Sequence, residues 1–420
     1  VKKDQTLANP SRRKFLVVGA AASGALVVGW RAATAQQSLP YLGARIEPTA
    51  LGVFVRIEKN GDVILGARGC EIGQGVKTSL PMLLAEELDV DWNRVRVEQL
   101  PYGYIDTDKG PGDKYGDQGA GGSTSITTAW KDLRQAGATA RWLLLVAASA
   151  KLNIPAGQLH TESGNVIAPD GTKISYGELV DAASKLDPPT EPRALKKPED
   201  FKVIGKPTHT VDAREIVTGQ TQYGIDAWRA EALVAVVARS PWIDGEIASL
   251  DDAEARKVPG VKDVVRIAGP KPGDVFDGAL ADGVAVLAIN TWAALKGREK
   301  LKIEWKPGPF AEESTDALHK QADELLKPAN AGKAVAVRRD GDVDKARKAA
   351  RKTIEARYTV PFLAHATMEP PAALIEVDKD KALLIASLQD PEGASEVISA
   401  VTGLARSKIE IRMTRAGEAG

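Results

Sequence analysis

Residues 71–76, Glu71-Ile-Gly-Gln-Gly-Val76, do most to fix what this chain can become. Two glycines one residue apart fall where a β-hairpin gives way to an amphipathic helix. Upstream, Val53, Val55 and Ile57 alternate, a second run covers 62–65, and Asn60-Gly61 between them is the strongest short-range hairpin signal. Downstream, Leu80, Leu83, Leu84 and Leu88 form a helical stripe. Pro81 is compatible with a helix only in its first turn, where no N–H is needed, so the helix is expected to start close behind Gly75. At such a junction the bare backbone lets peptide N–H groups approach an anion, and the helix dipole adds positive partial charge.

A second turn, Gly119-Ala-Gly-Gly-Ser-Thr-Ser125, opens a long helix through Trp130, Leu133, Ala140 and Leu144, with Ser123, Thr124 and Ser125 offering N-cap hydroxyls. Residues 142–150 are apolar nearly all round and are expected to be buried. Two such turns point to a grip on a large phosphorylated cofactor, although the spacing taken alone fits a plain turn as well.

The charges bound the partners. Lys+Arg and Asp+Glu both number 56 in 420 residues, so no net charge recruits nucleic acid, and runs such as Lys196-Lys197 read as solvated surface. The length supports two or three domains. Cys70 is the one cysteine, which excludes an internal disulfide, a thiolate-held iron–sulfur cluster and a four-cysteine zinc site. Electrons passing through this protein must leave by another subunit. At the start, Ser11-Arg12-Arg13-Lys14-Phe15-Leu16, an apolar stretch over 15–30 and Ala33-Thr-Ala35 read as a twin-arginine signal spanning 1–35, hence periplasmic export. An uncleaved anchor is the competing reading, but a membrane span needs about 20 apolar residues.

Farther on, 94–100 reads as a strand. Residues 101–125 lack periodicity and hold seven glycines, as functional loops do. Residues 187–200, rich in Pro, Lys and Glu, mark a linker. A β-α-β-β-α-β alternation follows: strands at 233–238, 261–267, 283–289 and 301–305, with helices at 250–257 (capped by Ser249) and 291–300. Beyond a charged stretch at 306–345, strands are expected at 353–360, 372–377, 383–387 and 408–413, and a helix at 395–404.

At these residues the sequence resembles the molybdopterin-binding large subunits of the xanthine dehydrogenase/aldehyde oxidase superfamily. The branch is that of isoquinoline 1-oxidoreductase β-subunits and membrane-bound aldehyde dehydrogenases. The resemblance rests on Glu71-Ile-Gly-Gln-Gly-Val with Ala85-Glu86-Glu87-Leu88, Gly121-Gly-Ser-Thr-Ser125, and Leu133-Arg-Gln-Ala-Gly-Ala-Thr-Ala-Arg141. It continues through Thr218-Gly-Gln-Thr-Gln-Tyr-Gly-Ile-Asp226, Val258-Pro-Gly-Val261, His365-Ala-Thr-Met-Glu-Pro-Pro371 and Gln389-Asp-Pro391, in the family's order.

The resemblance implies an α+β (mixed α/β), multi-domain architecture. In order these are a signal (1–35), an N-terminal molybdopterin-binding region (36–186), a linker (187–210), an α/β hammerhead-like domain (211–306), a variable linker (307–345) and the opening of the main cofactor domain (346–420). It also implies a molybdenum hydroxylase that oxidises an aldehyde or N-heteroaromatic substrate with oxygen from water. The cofactor is a molybdenum–molybdopterin dinucleotide, commonly the cytosine form. Electrons pass to a [2Fe–2S] small subunit and, in exported members, to a cytochrome c. By carry-over, Gly73, Gln74 and Gly75 contact the pterin, with the Gln74 amide bonding to it, and Gly121, Gly122, Ser123 and Thr124 bind pterin or phosphate. The family's catalytic glutamate has no counterpart up to residue 420, so no catalytic residue and no metal ligand is expected here. The chain reads as the N-terminal half of such a subunit, inactive alone and completed by a C-terminal half.

Two other classes compete. One is a catalytically empty relic or scaffold of the same fold. The other is a nucleotide-dependent dehydrogenase, against which 69–75 lacks the full G-x-G-x-x-G order. Among single residues, Pro370-Pro371 favour a bend over a helical His365/Glu369 metal pair, and His160, His209 and His319 lack ligand spacing. Cys70 reads as a buried thiol, Trp130 and Trp142 as packing residues, and Asp106, Asp108, Asp113 and Asp117 as solvated loop charge.

Overall fold

The computed structural model describes residues 16–20, 26–30, 53–107, 110–269, 282–338 and 340–417. The twin-arginine run and the Ala33–Ala35 site of the export reading lie outside the described residues, apart from Leu16. The fold is mixed α/β and divides into two units, Val1–Trp228 with Thr367–Gly420, and Arg229–Ala366.

The first unit opens with β1 (Leu16–Ala20), β2 (Leu26–Trp30), β3 (Val53–Ile57) and β4 (Val63–Ala67). Gly61 takes φ +87° between β3 and β4, the left-handed conformation the Asn-Gly turn requires. Helix α1 (Val76–Leu88) crosses back so that β5 (Val95–Gln99) pairs parallel to β4, closing a sheet in the order β1-β2-β3-β4-β5. Pro81 is the sixth residue of α1, not in its first turn as expected. It removes one helical bond at a cost of about 3 kcal/mol, and the helix persists because Leu80, Leu83, Leu84 and Leu88 are buried on the sheet.

The glycine-rich stretch 101–125 is not structureless: β6 (Tyr104–Thr107) and β7 (Gly110–Asp113) pair as a hairpin within it. Next come α2 (Ser125–Leu152), the small sheet of β8 (His160–Glu162), β9 (Asn165–Ile167) and β10 (Lys173–Ser175), then α3 (Tyr176–Ala183) and α4 (Ala213–Val217). Helices α1 and α2 touch at Gly137, where a Cβ would lie 2.5 Å from the Leu84 carbonyl oxygen. The apolar 142–150 stretch is buried on one face only: Leu143, Leu144, Ala147 and Ala148 are inside, while Trp142 and Leu145 are half-buried.

The second unit holds β11 (Val234–Arg239), β12 (Glu246–Asp251), α5 (Ala253–Arg256), β13 (Val261–Ile267), β14 (Gly283–Ala288), α6 (Thr291–Glu299), β15 (Lys302–Lys306), α7 (Thr315–Leu325) and α8 (Val343–Ala349). Its sheets run β11-β14-β13 and β12-β15. Ser249 does not cap a helix over 250–257. It lies in β12, where its hydroxyl donates to Glu304, and the helix shrinks to α5 behind Asp252. The strand expected at 353–360 is extended coil with Ile354, Tyr358 and Val360 exposed, because it has no strand partner among the described residues.

The chain then completes the first unit with β16 (Ala373–Val377), β17 (Ala382–Ala386), α9 (Pro391–Thr402) and β18 (Ile409–Met413). These form a sheet in the order β16-β17-β18, with β17 and β18 parallel across α9. Its apolar cluster of Leu384, Ile398, Ile409, Ile411 and Met413 also takes in Cys70 and Ile72 of the first glycine turn and Ala120 of the second.

Candidate functional site

Both glycine turns therefore sit on one packed surface, but they differ. In the first, the Glu71 carboxylate occupies the amide cradle. Its Oε1 accepts from the N–H groups of Gly73 (2.9 Å) and Gly75 (3.1 Å), and its Oε2 accepts from Lys77 (2.8 Å). Gly73 at φ +104° and Gly75 at φ +86° take the backbone turns that point these amides inward. The expected anion is thus the protein's own side chain. Gln74 folds back as well: its Nε2 donates to the Cys70 carbonyl (2.9 Å), and its Oε1 accepts from Ile72 N–H (2.7 Å). Both ends of the expected pterin-contacting amide are already bonded within the turn.

The second turn is open. Gly121, Gly122, Ser123 and Thr124 are exposed, and Gly122 (φ +55°) and Ser123 (φ +58°) lie in succession in the left-handed region. The expected N-cap hydroxyls do not form. Thr124 holds the N-cap position of α2 without capping an N–H, and its hydroxyl donates to the Gly121 carbonyl at 2.9 Å. The Ser125 hydroxyl turns to the Gly119 carbonyl. No side chain caps this 28-residue helix and no acidic residue lies in its first turn, so its N-terminal amides face outward.

Gln118 ties the two turns together. It is 3% exposed; its Oε1 accepts from Gly103 N–H (3.0 Å), and its Nε2 donates to the carbonyls of Arg68 (2.9 Å) and Pro101 (3.0 Å). Its own carbonyl accepts from Cys70 N–H. From the last sheet, Ala120 N–H donates to the Gln389 carbonyl and Ala416 N–H donates to the Glu71 carbonyl. Behind the first turn, the Arg415 guanidinium lies 3.6 Å from the Glu71 carboxylate and 2.9 Å from Asp212, whose other contact is Lys77 at 3.4 Å. Burial pushes the Cys70 thiol up to about 12, with Asp390 and Asp117 adding to it, and Sγ lies 3.3 Å from Met413 Sδ. Cys70 is an inert packing group.

Below the turns, α1 carries two wholly buried carboxylates that hold residues 196–204 against the helix. Glu87 pairs with Arg134 (2.6 Å) and accepts from Lys196 N–H; Glu86 accepts from the N–H groups of Lys202, Val203 and Ile204 and from the Lys196 ammonium. The Pro/Lys/Glu-rich stretch is thus fastened to α1. Glu369 lies in the bend foreseen before Pro370 and accepts from Ile225 and Gly417 N–H. Side chains of Asp106, Asp108 and Asp113 lie outside the described residues, while Asp117 accepts from Gly119 N–H. Among the described residues no three His, Cys, Asp or Glu side chains group to hold a metal ion, and no helix is long and apolar enough to cross a membrane.

Two family profiles, both described as molybdopterin cofactor-binding domain, match residues 18–225 and 326–419. The first takes in both glycine turns. The chain belongs to the molybdopterin-binding large-subunit family. It is similar to the membrane-bound aldehyde dehydrogenase [pyrroloquinoline-quinone] of Gluconacetobacter polyoxogenes, 30% identical over 87% of this chain and 46% of that protein. The isoquinoline 1-oxidoreductase β-subunit of Brevundimonas diminuta is 30% identical over 71% of this chain and 40% of its own length. A nicotinate dehydrogenase subunit of Pseudomonas putida is 27% identical over 89% and 30%. The chain spans less than half the length of each of these relatives.

The residues present fit a phosphate-bearing cofactor at the second turn, where amides point outward and a Cβ added at Gly121 would meet nothing within 4 Å. At the first turn the amides are spent on Glu71, so Gly73 and Gly75 can offer only close backbone approach. Glu71 and Gln118 were not among the site residues read from sequence. The signal for Glu71 is an acidic residue two, four and six places ahead of three amides in a Gly-x-Gly turn; Gln118 carries no signal.

Proposed function

We propose that this chain forms the cofactor-gripping part of an exported, periplasmic molybdenum hydroxylase acting on aldehydes or N-heteroaromatic compounds. The observation that carries this reading is the uncapped N-terminus of α2 behind Gly121-Gly122-Ser123-Thr124, within the first family match. The cofactor is a molybdenum–molybdopterin dinucleotide, in the cytosine form, and when bound it supplies the redox chemistry that inserts water-derived oxygen into the substrate. Amides of Ser125, Ile126 and Thr127, with the Ser123 hydroxyl and, once it leaves the Gly121 carbonyl, the Thr124 hydroxyl, hold its phosphate groups by hydrogen bonds and the helix dipole. Gly73, Gln74 and Gly75 pack beside the pterin. Electrons pass to a [2Fe–2S] subunit and on to a cytochrome c.

The test is metal and cofactor analysis of the protein purified with its co-expressed neighbouring subunits. Equimolar molybdenum, an oxidised pterin fluorophore and CMP released on hydrolysis are expected. Protein free of molybdenum and pterin, or carrying pyrroloquinoline quinone instead, would overturn the reading.

A further inference from the structure

We infer that Glu71 is the positioning residue of the first glycine turn. Its carboxylate sets the path of Gly73-Gln74-Gly75 from inside, and Arg415 and Asp212 set the carboxylate from behind. One side chain that is 2% exposed satisfies three N–H groups within six residues of itself. Without it, those amides would be left unbonded at a turn already held in two left-handed glycine conformations. The carboxylate does not stand free. Arg415 approaches Glu71 Oε1 at 3.6 Å while bonding Asp212 Oδ2 at 2.9 Å, and Asp212 also pairs with Lys77, whose N–H is the third donor to Glu71. The Ala416 N–H bond to the Glu71 carbonyl holds the same residue by its backbone. Three segments distant in sequence, 71–77, 212 and 415–416, therefore converge on this turn. Asp212 Oδ1 has no partner although buried, so the latch holds its carboxylate through one oxygen.

The functional consequence rests on the molybdopterin reading: the turn can pack beside a pterin only in the shape Glu71 imposes. The chemistry of the variants separates this role from bulk stability. In Glu71→Gln, one oxygen still serves Gly73 and Gly75, but an amide NH2 faces the Lys77 N–H. In Glu71→Ala all three donors are released, and in Glu71→Asp the carboxylate is one methylene too short to reach from residue 71 to Lys77.

The experiment is hydrogen exchange of the full chain, with and without its partner subunits, alongside molybdenum and pterin content. In Glu71→Gln, protection at Lys77 is expected to fall about tenfold or more while Gly73 and Gly75 keep most of theirs; Glu71→Ala loses all three. Cofactor content should fall in the same order. Tyr176→Phe, which deletes a buried hydrogen bond to the Leu88 carbonyl remote from the turn, is the stability control and should keep its cofactor. Equal exchange at the three amides in wild type and Glu71→Ala would overturn the assignment, as would cofactor loss in Tyr176→Phe matching that in Glu71→Gln. Wild-type protein that binds no pterin would end the molybdopterin reading alone, because the exchange pattern still decides what Glu71 does.

Discussion

The Cys70 N–H donates to the Gln118 carbonyl at 3.1 Å, and this bond joins the approach to one glycine turn to the approach to the other. The Gln118 side chain completes the joint with three further bonds to buried backbone groups. Gln118→Leu keeps the volume but leaves Gly103 N–H and the Arg68 and Pro101 carbonyls without that partner. Buried groups left unbonded cost about 1–3 kcal/mol each, so a loss of about 3 kcal/mol is expected. Urea unfolding reads it as a lowered midpoint; an unchanged midpoint would mean the joint is not structural.

The fastening of residues 196–204 to α1 should depend on acid. Burial works to raise the Glu86 carboxyl, but the N–H groups of Val203, Ile204 and Lys202 with the Lys196 ammonium outweigh it and hold the group below its usual value. Asp89 behaves alike: burial raises it, and Lys196, Thr161 and Lys202 together bring it lower than an ordinary carboxyl. A carboxyl depressed by folding stabilises fully above its unfolded value, about 4, and loses that contribution as pH falls through the lower folded value. Amide protection at Lys202, Val203 and Ile204 should hold from pH 7 to about 5 and fall below about 4. Glu86→Gln should remove most of that pH dependence at Lys202, Val203 and Ile204.

How much of this is visible in the sequence depends on the range of the forces involved. The hairpin at Asn60-Gly61, α1 behind Gly75 and the strand–helix–strand order of β17, α9 and β18 follow from local periodicity and turn chemistry, which the chain carries on its face. Residues 246–251 misled because Ser249 and the acidic run after it resemble a helix start, whereas pairing with 302–306 makes them a strand. Residues 353–360 alternate like a strand, yet a strand is defined by its neighbour. At the site, the two Gly-rich turns were legible as backbone, but which one offers free amides was not. That is settled by Glu71 folding into its own turn and by Thr124 turning its hydroxyl away from the helix it precedes.

Ser123→Asp sets stability and binding against each other. Ser123 already has φ +58°, a conformation Asp tolerates, and stands beside the uncapped start of α2. A carboxylate there interacts favourably with the helix dipole, worth about 0.5 kcal/mol, so the melting temperature should hold or rise slightly. The same charge occupies the place proposed for phosphate, so pterin and molybdenum content should fall about tenfold or more. A variant that retains its cofactor would show that phosphate is held elsewhere.

Cys70 turns the junction into its own reporter, since it is the one thiol of the chain. It is 1% exposed, and burial, reinforced by Asp390 and Asp117, pushes the thiol up to about 12. At pH 8 the native protein should therefore resist iodoacetamide over hours, whereas urea-unfolded protein, with an ordinary thiol near 8.5, reacts stoichiometrically. The thiol is packed between Met413 of β18 and the Gln118 joint. Alkylation below the unfolding midpoint thus requires local separation of the turns from the last sheet. Gln118→Leu should speed this labelling at least about tenfold while leaving that of the unfolded state unchanged. Rapid labelling of wild-type protein would place the thiol in solvent and break the shared packing of the two turns.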